Sequence, residues 1–136
     1  MLALQIHLIP RPGKAKEGEA VKVFEASSKF TFHEINAWET DTGYVVLDVL
    51  GKDRQSFAQD LDNLPVSIFE NAERLTSVRR LVLQPRSGTC KEYDLRDSDL
   101  LRWRDFELPC TPPPHFTGKP HAAVFGMVRF LFCCRT

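Results

Sequence analysis

The sequence predicts an all-β fold, and three observations predict it. Apolar and polar residues alternate over stretches of about four to eight residues, the period of a strand and not of a helix. Clusters of Gly, Pro, Asp and Thr separate these stretches at intervals of roughly ten residues. One run, Tyr44-Val45-Val46-Leu47-Asp48-Val49-Leu50, is apolar at nearly every position, as a strand covered on both faces must be.

Residues 2–9 alternate well enough for a first strand, which Pro10-Arg11-Pro12-Gly13 ends. The charged stretch 14–19 reads as a hairpin loop, and Val21-Lys22-Val23-Phe24 as a half-buried returning strand. Phe30-Thr31-Phe32-His33-Glu34-Ile35 continues in extended form. Asp41-Thr42-Gly43 is a turn leading into residues 44–50. The period then changes: Ser56 is a suitable N-cap, Phe57, Leu61 and Leu64 recur at helical spacing, and Pro65 closes the helix. Residues 68–75 read as a second helical turn. Strands resume at 78–83, reverse at Pro85-Arg86-Ser87-Gly88 and return at 90–95. Successive prolines at 112, 113 and 114 remove ladder donors and keep residues 110–114 out of any central strand. No internal repeat is evident, and the whole suits a sandwich or part of a propeller.

At 136 residues the chain can build one ordinary core. Eighteen basic and 18 acidic residues cancel to zero net charge, which argues against a nucleic-acid or acidic-membrane surface driven by electrostatics. Basic residues gather only locally, at Arg79-Arg80 and within 102–104. The four cysteines, at 90, 110, 133 and 134, form no CxxC pair and suit a reducing, cytoplasmic setting better than a secreted disulfide framework. The N-terminal apolar run has no basic flank or cleavage site. The apolar stretch 122–134 is interrupted by Arg129 and falls short of the ~20 residues of a membrane span, so no transmembrane segment is expected.

The most specific signal is Phe32-His33-Glu34-Ile35-Asn36-Ala37-Trp38-Glu39. It resembles the Phe-His-x-x-Asn-Ala-aromatic-Glu stretch of the carotenoid cleavage oxygenases, iron-dependent β-propeller enzymes. Further matches follow in that family's order: the turn and strand ending in Asp48, then Arg79-Arg80-Leu81-Val82-Leu83, then Phe106-Glu107-Leu108-Pro109, then Phe116-Thr117-Gly118-Lys119-Pro120-His121 and the strand through Gly126. The resemblance covers nearly all of the chain and is similar in flavour to the β-carotene oxygenase and retinal pigment epithelial membrane protein branch. It implies part of a seven-bladed β-propeller, about two blades with a short helical insertion. It also implies a division into a propeller portion, 1–126, and a divergent C-terminal tail, 127–136.

In that family four histidines hold Fe(II), and the resemblance carries one of those roles onto His33. Neutral imidazole suits iron, and a ligating His usually donates its other N–H to an acceptor that fixes its tautomer. The resemblance assigns that acceptor role to Glu107. His7, His115 and His121 lie outside the ligand motif and are expected in solvent. Asn36, Trp38 and Glu39 are read as packing and turn-forming residues, and no catalytic residue is assigned. The implied parent activity is oxidative cleavage of a carotenoid or apocarotenoid by O2, with Fe(II) as cofactor. The chain alone is expected to be inactive and not to hold the iron. The other readings are a carotenoid- or retinoid-binding module without chemistry, and a piece of a retinoid isomerase of the same family.

Overall fold

The computed structural model describes residues 3–13, 20–31, 33–53, 76–95, 105–111 and 116–129. These form nine strands and, among the described residues, no α-helix. The helical expectations over 56–64 and 68–75 lie outside the described residues, as do Phe32, His115, Cys133 and Cys134.

Four strands form an antiparallel meander: β4 (Glu34–Glu39), β5 (Val45–Asp53), β6 (Ser77–Gln84) and β7 (Thr89–Asp94). Each pairs with its neighbour in the chain. The short β3 (Lys29–Phe30) pairs with the far end of β5. A four-stranded antiparallel unit of this kind is the blade of a propeller. Its two tight turns fall where the sequence has glycine. Gly43, at φ +80°, donates its N–H to Thr40 O, and Gly88, at φ +70°, donates to Gln84 O; other residues rarely adopt such angles.

The two faces of the blade differ. One buries Val49 and Leu81 against the hairpin of β1 (Leu4–Leu8) and β2 (Lys22–Ala26), where Ala26 joins the core and Leu4, Ile6, Leu47 and Cys90 pack around it. The alternation of the hairpin puts Phe24 opposite Ile6 and leaves it 1% exposed. The second face carries Asn36, Trp38, Val46, Asp48 and Leu50, all buried. The last two strands, β8 (Asp105–Cys110) and β9 (Phe125–Arg129), pair antiparallel. β8 packs against β4, β5 and β6, and residues 116–121, between β8 and β9, are bonded to this second face. The layers are hairpin, blade and hairpin, and β5 is covered on both faces as its apolar run requires.

The extended stretch expected over 30–35 is two strands. β3 ends at Phe30 and β4 starts at Glu34, and between them the Thr31 hydroxyl donates to the carbonyl of Leu50, with His33 O 3.5 Å away. β8 accommodates Pro109 through a bulge: Glu107 stands opposite Met127 and Cys110 opposite Phe125, which leaves one residue over on β8. Leu108, within that bulge, has φ +49°. β9 runs continuously through residue 127, where the sequence reading placed the start of the tail. No helix among the described residues is long and apolar enough to cross a membrane.

Candidate functional site

Asp48 is the one carboxylate in the apolar run of β5, and it is 0% exposed. A charge so buried must be paired and hydrogen-bonded. The register supplies both flanks, Asn36 of β4 on one side and Arg80 of β6 on the other. Arg80 grips the carboxylate in a fork, with Nε 2.8 Å from Oδ1 and Nη2 2.8 Å from Oδ2. The hydrogen bond to Asp48 holds the Arg80 guanidinium above its ordinary pKa; desolvation opposes this, and the charge of Asp48 adds to it. The guanidinium also lies over Trp38, 5.1 Å from the ring centroid, a cation–π contact.

His121 completes the group. Its Nε2 lies 3.3 Å from Asp48 Oδ2, and its ring meets Trp38 edge-on at 5.3 Å. Its side chain is 3% exposed, so the expectation that His121 points into solvent is overturned. The reason is the surroundings: polar atoms of Asp48 and Asn36 lie beside the two ring nitrogens, and Trp38 covers the ring edge-on.

Asn36 is the hub. Its Oδ1 accepts the N–H groups of Ala37 and Gly118, each at 3.0 Å, which fixes the amide so that Nδ2 donates. Nδ2 reaches Lys119 O at 2.9 Å, Phe116 O at 3.2 Å and His121 Nδ1 at 3.1 Å. A ring with its proton on Nε2 would let Nδ1 accept from Asn36 and turn the N–H toward Asp48. Asn36, read from sequence as packing and turn-forming, is a strand residue that clamps the 116–119 backbone.

His33 sits at the entry to β4, half-buried, and its carbonyl accepts the N–H of Leu50 at 3.0 Å. This bond extends the β4–β5 pairing one step beyond Glu34 and Val49. Between Glu34 and Asn36 the register shifts, because Glu34 pairs with Val49 and Asn36 with Asp48, leaving Ile35 as the extra residue of a bulge. Opposite residues share a face, so the bulge turns Asn36 toward Asp48 while Glu34 faces outward. Glu107 lies in β8, in register with Met127 and one residue before the second bulge. β8, which carries Glu107, packs against β4, the strand that follows His33.

The cluster of Asn36, Asp48, Arg80 and His121 is a closed set of mutual contacts and works as a brace. Among the described residues no three or more His, Cys, Asp or Glu side chains gather where a metal could be held. His33 is chemically suited to iron, but the described residues do not make up a ligand set around it. An open surface pocket lined by Leu8, Ile9, Arg11, Lys22, Glu39 and Val45 lies at the other end of β4.

Blade and hairpins define part of a β-propeller. Residues 2–130 match the family of retinal pigment epithelial membrane protein, and the chain belongs to that family, the carotenoid cleavage oxygenases. Among solved structures it is similar to cobalt-substituted apocarotenoid oxygenase from Synechocystis, at TM-score 0.65, 21% identity and 93% of this chain covered. A chimera of that oxygenase with retinal pigment epithelial membrane protein matches at TM-score 0.64 and 21% identity, again over 93% of this chain. This chain spans 23% of the length of each of those structures. No curated protein sequence matches it.

Proposed function

We propose that this chain contributes one imidazole, His33, to the iron centre of a propeller enzyme that cleaves carotenoids or apocarotenoids with O2. The observation that supports this reading most is the placement of His33. It opens the edge strand of a blade, immediately before a bulge, within a sequence stretch that the family match includes. Bulges recur beside active sites because they re-aim the side chains next to them. One similar structure holds cobalt, so a metal belongs to that related fold.

The remaining ligands would come from other blades, and iron, once bound, would supply the activation of O2. The residues of this chain have simpler tasks: His33 presents a neutral ring nitrogen, and Glu107 accepts the N–H of its other nitrogen and fixes the tautomer. The role of Glu107 rests on the order of the motifs and on β8 lying beside β4.

In a polypeptide that joins this chain to the further blades, His33→Ala should abolish iron loading by metal analysis. Glu107→Gln should lower iron affinity by about 10–100-fold. Full iron occupancy in His33→Ala would refute the ligand role, and unchanged affinity in Glu107→Gln would remove the orienting role alone. The 136-residue chain by itself should take up Fe(II) no better than scattered histidines do.

A further inference from the structure

We infer that His121 and Asn36 are positioning residues for His33: through Asp48 they hold the β4 bulge in one conformation and tie it to residues 116–121. This rests on the proposed ligand role of His33, but the brace itself can be tested without metal.

His33 is fixed at its backbone by the Leu50 N–H, two residues along β5 from Asp48. The bulge at Ile35 separates His33 from Asn36, and a bulge leaves one residue unpaired in the ladder. The ladder holds β4 on either side of the bulge and leaves Ile35 itself unfixed. Asn36 adds a hold through its amide: Oδ1 accepts from Ala37 and Gly118, and Nδ2, with two hydrogens to give, lies within reach of Phe116 O, Lys119 O and His121 Nδ1. His121 in turn is held from the far side by Asp48 and against its ring by Trp38.

Burial sharpens this. Asp48 and Asn36 are 0% and 6% exposed, and the His121 side chain is 3% exposed, so water cannot replace a lost partner. The arrangement asks for a side chain that donates to Asp48 and accepts from Asn36 at once. A neutral imidazole does this, and so does a carboxamide of similar reach, whereas a methyl group does neither. The grip on residues 116–119 also couples the strand behind His33 to the connection between β8 and β9, so that blade and following hairpin move as one piece.

The test is hydrogen exchange on the metal-free 136-residue chain, read at the Leu50 amide and, as an internal reference, at the β1–β2 ladder. Losing one buried hydrogen-bond partner, His121→Ala should speed exchange at Leu50 by about tenfold and leave the β1–β2 amides within about twofold. His121→Gln should restore the protection of Leu50. Equal acceleration at both places would make His121 a general stability residue and overturn the inference, as would no change at Leu50. A Gln variant that behaves like Ala would overturn it too. Should His121→Ala not fold, nitrogen NMR of the unsubstituted chain decides: the proton on Nε2 with Nδ1 accepting supports the brace, and the opposite tautomer overturns it. Because none of these readings involves iron, a wrong ligand assignment for His33 would leave them unaffected.

Discussion

Asp48 and Arg80 show what a single buried charge demands of its surroundings. Asp48→Ala takes away the fork that holds Arg80, whose side chain is 31% exposed and so keeps part of its hydration, and should lower the stability of the chain by about 1–3 kcal/mol. The shift of the midpoint in urea unfolding measures it. Arg80 itself adds no pH dependence in the neutral range. Its folded pKa is raised, so its contribution is fully present below the unfolded value and is lost only as pH rises through the folded one, at strongly alkaline pH. This pair was partly legible in the sequence: an Asp inside a run of Val and Leu has to be paired, and Arg79-Arg80 lies on the next apolar stretch. His121 was not legible. Its partners are 73 and 85 positions away, and nothing in Gly-Lys-Pro-His announces a buried ring.

Elements were easier to read than their irregularities. The meander β4 to β7 follows from alternation and from turn residues at 41–43 and 85–88, because both signals are local. The bulges in β4 and β8 are single extra residues with no composition of their own, and β8 was further disguised by Pro109. Leu108 makes the second bulge costly, since a left-handed backbone strains an L-residue with a branched side chain. The residue is 57% exposed, so little packing is at stake. Leu108→Asn should therefore stabilise the chain by about 1 kcal/mol, Asn being far more tolerant of positive φ. A rise in the thermal midpoint checks this; a fall would show that the leucine is held there by contacts worth more than the strain.

At the scale of the molecule, the blade and the hairpins beside it are stacked layers, and β9 carries Phe125 and Met127 at 57% and 63% exposure. The family could be read from one octapeptide and the order of shorter motifs, because a ligand motif is compact in sequence. The brace could not, since it is assembled from strands and a connection far apart in the chain. That separation has a consequence in time. Contacts between sequence neighbours close cheaply, so the β4–β5 and β6–β7 turns can form early, whereas the 85-residue loop between Asn36 and His121 must close against a larger entropy. Residues 116–121 should therefore dock after the folding barrier has been crossed, with His121 contributing nothing to the nucleus. In stopped-flow measurements His121→Ala should leave the refolding rate of the chain unchanged, because the contacts it removes form after the barrier. The residue that secures the strand behind His33 would then be set in place last and have no part in how quickly the blade forms.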